Sequence, residues 1–191
     1  ITAMSERAIA ATQSLGHPLC GINIGIFILL DIMVKVLFVC LGNICRSPLA
    51  EGIFKQRVQE AGLETKIFVQ SAGTSGWHIG EPPDPRSIDV AWENGIELNS
   101  FGRKAERDDF QDFDYIIAMD KNNYTDLKRL PGSSIEGAAK LFLMRDFDSN
   151  GQGQDVPDPY YGGADGFTHV FEMLDRSCRN LLEEIKENHQ L

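Results

Sequence analysis

The chain of 191 residues is long enough for one domain with a sizeable hydrophobic core. Its 28 Asp and Glu outnumber its 18 Lys and Arg, and the net charge of −10 disfavours general binding to nucleic acid or to an anionic membrane surface. A phosphorylated ligand would therefore need a local electropositive site.

Residues 1–32 differ in composition from the rest of the chain. Their apolar stretch from Ile24 to Leu30 is far shorter than the roughly 20 residues that span a bilayer. It lacks the basic cluster before it and the small-residue cleavage site after it that mark a signal peptide. We expect 1–32 to be a non-catalytic N-terminal extension, 33–191 to be the functional domain, and no stable membrane association.

From Met33 onward, segments typical of strands alternate with segments typical of helices. The first strand, 34–40, is a nearly continuous apolar run, as expected of a buried parallel strand. In the helix that follows, we predict Ser47 as the N-cap, Pro48 at the first position and Gly62 at the C-terminal cap. The other predicted strands cover 66–73, 113–120 and 139–144, and the other predicted helices cover 83–95, 121–130 and about 165–187.

The last predicted helix carries one stripe of apolar side chains along its length. The stripe contains Phe167, Val170, Phe171, Leu174, Cys178, Leu181, Leu182 and Ile185. Cys178 is therefore predicted to be a small core residue. The alternation of strands and helices predicts an α/β fold, a three-layer sandwich with a four-stranded parallel sheet and helices on both faces. Ligands of such sheets bind beyond the carboxyl ends of the strands.

The four cysteines do not form the pattern of a secreted disulfide framework in a chain of this length. Cys40 and Cys45 are the only close pair. Neither a second pair nor a histidine cluster accompanies them, so a structural zinc site is not expected. We expect reduced thiols, a cytoplasmic location, and neither a metal nor a cofactor.

The turn after the first strand has the composition of an anion-binding loop. Its backbone N–H groups and the free amides of the next helix can form a ring around an anion, near the positive end of the helix dipole. Gly42 and Asn43 are the residue types that most easily adopt the left-handed conformations that such a curl needs. Arg46 can grip two phosphate oxygens, and it replaces the lysine of a nucleotide-binding loop. The predicted phosphate-binding loop comprises Leu41, Gly42, Asn43, Ile44, Cys45 and Ser47.

Cys40 lies at the end of the first strand, beneath the predicted ring of amides. The amides, the Arg46 guanidinium and the helix N-terminus all favour the thiolate form of a cysteine. A thiolate at the floor of a phosphate site is aligned for in-line attack on phosphorus. The Ser47 hydroxyl can donate a hydrogen bond to that sulfur, while the amides and Arg46 stabilise the charge of the transition state.

Phosphoryl transfer also needs a proton for the leaving oxygen. Asp158 is the strongest candidate, because it lies between two prolines and because a carboxyl group beside phosphate oxygens can remain protonated. The same group can later activate the water that cleaves the thiophosphate. Tyr160 and Tyr161 follow it in the sequence and can form the wall of a slot for an aryl group.

Four segments together resemble the low-molecular-weight protein tyrosine phosphatase family, over about residues 34–187. The segments are "CLGNICRS" (40–47), "SAGTSGWHIGEPPDPR" (71–86), "AMDKNN" (118–123) and "DPYYGG" (158–163). The resemblance implies hydrolysis of phosphotyrosine and aryl phosphates through a cysteinyl-phosphate intermediate. It also implies tyrosine-phosphorylated proteins as substrates, and phosphate and other oxyanions as product or inhibitors.

The resemblance also implies roles for individual residues. The nucleophile would be Cys40, the phosphate binder Arg46, the thiolate stabiliser Ser47 and the general acid and base Asp158. Asn43 would organise the loop and be held by Ser71, and the walls of the substrate cleft would be Trp77, Tyr160 and Tyr161. Under peroxide, Cys45 would form a reversible disulfide with Cys40. One departure is "NSFG" (99–102), which stands where many members carry a histidine that braces the loop.

Three other functions remain open, as does a purely structural Cys45, since spacing in sequence does not fix sulfur geometry. Arsenate reduction on the same scaffold needs further cysteines, and only Cys178 follows Cys45. Phosphoarginine hydrolysis is disfavoured because Ile44, which suits an aromatic ring, stands where related arginine phosphatases carry threonine. A phosphate-binding module without turnover would leave the nucleophile and the acid without a purpose.

Overall fold

The computed structural model describes residues 33–133 and 139–191, and the predicted N-terminal extension lies outside these ranges. Within them, four parallel strands form one sheet in the order β2-β1-β3-β4. The strands are β1 (Val34–Cys40), β2 (Ile67–Gly73), β3 (Tyr115–Ala118) and β4 (Lys140–Leu143). The helices are α1 (Arg46–Glu60), α2 (Pro85–Glu93), α3 (Asp109–Asp112), α4 (Lys121–Arg129) and α5 (Ala164–His189), with short 3-10 helices at Met144–Phe147 and Pro159–Tyr161.

β1 is buried on both faces of the sheet, which explains its nearly continuous apolar sequence. Because side chains alternate along a strand, Val36 and Phe38 join a core with α1 and α5. Leu37 and Val39 join a second core with Leu127 of α4 on the opposite face. The predicted three-layer sandwich, with helices on both faces of a four-stranded parallel sheet, is confirmed.

The start of α1 differs from the sequence prediction. The helix begins at Arg46, and the Leu49 N–H donates to the Cys45 carbonyl at 3.3 Å, so Cys45 occupies the capping position. The prediction of Ser47 as the N-cap was therefore wrong. Its hydroxyl lies 3.0 Å from Cys40 Sγ instead, because the helix starts two residues earlier and turns that side chain inward. At the other end of α1, Gly62 has φ +67°, as a residue in the predicted C-terminal cap position requires.

α5 is the longest helix in the described part of the chain, with 26 residues. The predicted apolar stripe is confirmed, since every member of it is buried. Cys178 has no exposed surface, and its thiol lies 3.8 Å from the Ala50 carbonyl oxygen in α1. No helix within the described ranges is long and apolar enough to cross a membrane.

The carboxyl ends of the strands bring the candidate residues to one edge of the sheet. Cys40 ends β1, and Asp120 follows β3 by two residues. Gly73 ends β2 directly beside the turn, where a Cβ atom would lie 2.8 Å from the Leu41 carbonyl oxygen. A side chain at Gly73 is therefore excluded by the backbone of the predicted phosphate-binding loop.

Candidate active site

The turn between β1 and α1 curls through a single left-handed residue, Asn43, with φ +58°. The prediction that Gly42 also adopts this conformation was wrong. A different contact accounts for a glycine there, since a Cβ at Gly42 would lie 3.1 Å from His78 Cδ2. The turn is fastened to the backbone beyond β2, where the Thr74 N–H donates to the Cys40 carbonyl at 2.9 Å. Backbone hydrogen bonds thus fix the position of the turn beside the end of β2.

The Cys40 thiol lies at the floor of the turn and is only 3% exposed. Its sulfur accepts a hydrogen bond from the Asn43 N–H at 3.2 Å. The Ser47 hydroxyl lies 3.0 Å from the sulfur and 3.2 Å from the Ala72 carbonyl oxygen, and it can direct its one hydrogen to either. With the N-terminus of α1 directly above, these donors stabilise a negative sulfur.

Arg46 is buried at the first position of α1 and is held by three acceptors. Nη1 donates to Asp120 Oδ2 at 2.7 Å and to the Val156 carbonyl at 3.0 Å, and Nη2 donates to Asp158 Oδ2 at 3.3 Å. Burial alone would lower the pKa of Arg46, but the charges of Cys40, Asp158 and Asp120 outweigh it and raise that pKa. The guanidinium is therefore fully charged and directed at the pocket.

Asp120 is a site residue that sequence reasoning missed. It follows β3 at the same sheet edge as Cys40, and its Oδ1 accepts from the Asn123 N–H at 2.7 Å, which caps α4. Its other oxygen bonds Arg46. An acidic residue at the carboxyl end of the predicted strand 113–120 was the available signal, and the "AMDKNN" segment contained it.

Asp158 precedes the 3-10 helix Pro159–Tyr161 and faces Arg46 across the pocket. Its Oδ1 accepts from the Tyr160 N–H at 3.1 Å, and its side chain is 37% exposed. One carboxylate oxygen thus positions the turn, while the other accepts from Arg46 at the pocket wall. This arrangement can deliver a proton to an oxygen bound between Arg46 and the aromatic residues.

The pocket above Cys40 has a volume of about 180 Å³. The structure brings most of the sequence-predicted site residues together around it: Cys40, Leu41, Gly42, Ile44, Cys45, Arg46, Trp77, Asp158, Tyr160 and Tyr161. His78, for which no role was predicted, also lines it and pairs with Glu81 through Nδ1 at 2.6 Å. The exposed rings of Trp77 and Tyr161, with 73% and 91% of their surface accessible, form a wide apolar rim.

Asn43 and Ser47 of the loop form a hydrogen-bonded support with Ser71 of β2. Asn43 Nδ2 donates to Ser47 Oγ and to Ser71 Oγ, both at 2.9 Å, and Asn43 Oδ1 accepts from the Arg103 N–H at 2.9 Å. Ser71 Oγ in turn donates to the buried Glu51 Oε2 at 2.6 Å. The resemblance implied that many members brace this loop with a histidine. In this chain Asn43 is instead braced by Glu51, through Ser71, and by the Arg103 N–H, directly after 99–102.

Glu51 was also missed by sequence reasoning. Its second oxygen accepts from Lys55 Nζ at 2.6 Å, so a surface cation balances a carboxylate that is 5% exposed. Ser47, Glu51 and Lys55 are spaced four residues apart, which places them on one face of α1. That spacing was the sequence signal for this part of the support.

Replacing Asn43 separates its backbone conformation from its hydrogen bonds. Asn43→Gly and Asn43→Ala both remove three side-chain hydrogen bonds, so we expect both to lower kcat/KM for p-nitrophenyl phosphate by about 10-fold to 100-fold. Asn43→Ala should also be less stable than Asn43→Gly by about 1–2 kcal/mol, because alanine is strained at φ +58°. Chemical denaturation and steady-state kinetics measure the two effects. Equal stability of the two variants would contradict the strain argument.

Cys45 is a neutral thiol in this environment. Burial, together with the negative charges of Asp84, Cys40 and Asp158, raises the pKa of Cys45 to about 12. Cys40, Cys45 and Cys178 are free thiols, and all three are buried.

The two loop cysteines should therefore differ in reactivity. At pH 7, iodoacetamide is expected to alkylate Cys40 well before Cys45, because alkylation proceeds through the thiolate. Saturating inorganic phosphate should protect Cys40 by filling the pocket above it. Peptide mass spectrometry after short labelling checks both expectations, with Cys178, whose pKa burial also raises, as the internal control. Labelling of Cys45 at the same rate as Cys40 would contradict the assignment.

Comparisons with known proteins show which family the chain is similar to. Residues 35–191 match the family model described as "Low molecular weight phosphotyrosine protein phosphatase". A protein of that description from Schizosaccharomyces pombe is 44% identical over 153 residues, covering 80% of this chain and 97% of that one. The crystal structure of a protein tyrosine phosphatase from Entamoeba histolytica, with Hepes in its active site, superposes with a TM-score of 0.76 at 42% identity, covering 82% of this chain and 99% of that one. A Drosophila arginine phosphatase superposes with a TM-score of 0.75 at 35% identity, over 80% and 98% of the two chains.

Proposed function

The chain belongs to the low molecular weight phosphotyrosine protein phosphatase family, and from this premise we propose that Cys40 is the nucleophile with which it hydrolyses phosphotyrosine. The observation that carries the assignment is the convergence of three groups on one pocket: a buried thiol, a buried guanidinium and a half-exposed carboxyl group. Each of the three has the chemistry that one part of the reaction requires.

In the first step, Cys40 Sγ attacks phosphorus from the floor of the pocket and the bond to the phenolic oxygen breaks. Arg46 and the backbone N–H groups of the loop stabilise the charge on the three equatorial oxygens. Asp158, protonated, donates its proton to the departing phenolic oxygen. The products of this step are a tyrosine hydroxyl and a phosphate bonded to Cys40.

In the second step, water cleaves the phosphorus–sulfur bond. Asp158, now ionised, accepts a proton from that water, which reverses its role in the first step. The sulfur leaves as a thiolate, stabilised by the Asn43 N–H and by the Ser47 hydroxyl. Inorganic phosphate is released and the enzyme returns to its starting state.

The apolar rim supports an aryl substrate. Trp77, Tyr160, Tyr161 and the aliphatic side chain of Ile44 surround the space that the phenyl ring of phosphotyrosine would occupy. Phosphoprotein substrates follow from the family, and we propose tyrosine-phosphorylated proteins among them. Free phosphate and other oxyanions would inhibit by occupying the loop.

Three further assignments belong to this proposal. The free thiols of Cys40, Cys45 and Cys178 support a cytoplasmic location. The family match from residue 35 onward supports a non-catalytic role for residues 1–32. The Cys40–Cys45 disulfide is proposed as a reversible protection against peroxide, supported by the fact that both residues line the same pocket.

The function is tested by comparing matched peptides that carry phosphotyrosine, phosphoserine or phosphoarginine. We expect kcat/KM for the phosphotyrosine peptide to exceed the other two by at least about 10-fold, since only the aryl ring fills the apolar pocket. Phosphate release measures all three on one scale. A preference for phosphoarginine would transfer the function to the class of the Drosophila arginine phosphatase, and no release from any peptide would contradict a phosphatase.

A further inference from the structure

Arg86, in the first turn of α2, is bound firmly to the residue that caps that helix. Its backbone N–H and its Nε both donate to Asp84 Oδ1 at 2.9 Å, and its Nη2 donates to Asp84 Oδ2 at 2.8 Å. The hydrogen bonds from Arg86 hold the pKa of the Asp84 carboxyl below its usual range. The guanidinium is therefore fixed in position at the start of α2.

The rest of the guanidinium contacts the turn that follows Asp158. Nη1 donates to the Tyr160 carbonyl oxygen at 3.1 Å. The guanidinium carbon also lies 5.3 Å from the centre of the Tyr160 ring and 4.6 Å from that of Phe167 in α5. One planar group thus contacts both the backbone and the ring of Tyr160 while it remains bound to Asp84, a geometry that lysine cannot reproduce.

These contacts reach the Asp158 carboxylate through the backbone of Tyr160. The Tyr160 N–H donates to Asp158 Oδ1 at 3.1 Å, while Arg86 holds the carbonyl of the same residue. At the opposite end, the Asp84 N–H donates to the Ile44 carbonyl in the phosphate-binding loop at 2.8 Å. A continuous set of hydrogen bonds therefore joins the loop beneath the phosphate to the turn that presents the acid.

The other contact of Asp158 is one with which the phosphate of the substrate competes. Asp158 Oδ2 bonds to Arg46 Nη2 at 3.3 Å, and Arg46 is the group assigned to the phosphate. When Arg46 binds phosphate oxygens, the Tyr160 N–H is the remaining donor to Asp158 among the hydrogen bonds of the described residues. The alignment of the acid then depends on how firmly Tyr160 is held.

We propose that Arg86 is a positioning residue for Asp158: it holds the Pro159–Tyr161 turn against α2, so that the acid stays aligned with the leaving oxygen. This role rests on the phosphatase function proposed above. Arg86 contacts neither the phosphate nor the leaving group, and it acts only through Tyr160.

The test compares Arg86→Gln and Arg86→Lys with Arg176→Gln. Arg176 pairs with Asp148 outside the pocket at a similar exposure, 35% against 42% for the side chain of Arg86, so it reports the loss of an arginine–aspartate pair alone. kcat/KM is measured for phenyl phosphate, whose leaving group needs a proton, and for 2,4-dinitrophenyl phosphate, whose leaving group does not.

For Arg86→Gln we expect kcat/KM to fall by about 10-fold on phenyl phosphate and by less than about 3-fold on the dinitrophenyl ester. The loss on phenyl phosphate is smaller than the full contribution of a general acid, because Asp158 itself is still present. Arg86→Lys should give an intermediate loss on phenyl phosphate, because an ammonium group can bind Asp84 or the Tyr160 carbonyl but not both. Arg176→Gln should lower Tm and leave the ratio of the two rates unchanged.

A double variant, Arg86→Gln with Asp158→Asn, completes the test. It should be no slower on phenyl phosphate than Asp158→Asn alone, because both changes remove the same proton transfer. Equal losses of Arg86→Gln on the two esters, or full additivity in the double variant, would overturn the role of Arg86 while the phosphatase function stands. A wild-type protein that hydrolyses neither ester would instead overturn that function, and the role of Arg86 with it.

Discussion

Cys40→Ser is expected to lower the hydrolysis of p-nitrophenyl phosphate by roughly 10⁴-fold or more, since removal of a nucleophile leaves only binding and charge stabilisation. A serine hydroxyl at the floor of the pocket remains un-ionised, and the donors around Cys40 that stabilise a thiolate cannot ionise it. The phosphate site itself stays intact. The variant should therefore bind inorganic phosphate with an affinity close to that of the wild type, as measured by calorimetry.

Cys178→Ala is the matched control for Cys40→Ser. Cys178 is also a fully buried thiol, but it lies in the apolar stripe of α5 and outside the pocket. Its replacement should lower Tm while kcat for p-nitrophenyl phosphate stays within about 2-fold of the wild type. Sustained turnover by Cys40→Ser, or a comparable loss in Cys178→Ala, would refute Cys40 as the nucleophile.

Asp158→Asn is expected to lower kcat/KM for phenyl phosphate by about 10²-fold to 10⁴-fold, the range for loss of a general acid. Asparagine keeps the hydrogen bond from the Tyr160 N–H, because its side-chain oxygen still accepts. The turn is therefore preserved, while the transferable proton and the charge that faces Arg46 are lost. On 2,4-dinitrophenyl phosphate, whose leaving group departs without a proton, the loss in kcat/KM should nearly disappear.

Asp165→Asn is the matched control for Asp158→Asn. Asp165 is an exposed carboxylate in the first turn of α5, close to Asp158 in the chain but absent from the pocket wall. It should leave kcat/KM unchanged on both esters. If Asp158→Asn slowed the two esters equally, Asp158 would be a structural residue and the acid would have to be sought elsewhere.

The sequence predicted the fold well because its main signals are local. Three signals each depend on neighbouring residues alone: the apolar run of β1, the apolar stripe of α5 and the end of α1 at Gly62. The start of α1 was placed two residues too late for a related reason. Ser47 has the local properties of an N-cap, but its hydroxyl bonds to groups on β1, β2 and the loop.

The residues that sequence reasoning missed make contacts between distant parts of the chain. Asp120 bonds Arg46 across 74 positions, and Arg86 bonds the Tyr160 carbonyl across another 74. No periodicity or motif spacing reports such pairs. The Gly42 prediction was wrong for the same reason, because the neighbour that explains the glycine is His78, from a segment beyond β2.

The three acceptors that hold Arg46 have a consequence for the end of the catalytic cycle. Since Asp120, the Val156 carbonyl and Asp158 already accept hydrogen bonds from the guanidinium, an oxyanion that binds Arg46 competes with them for its charge. The free energy that phosphate gains by binding Arg46 is therefore smaller than it would gain from an unpaired guanidinium. We therefore expect inorganic phosphate, which has no aryl ring to contact the aromatic rim, to dissociate more readily than an aryl phosphate.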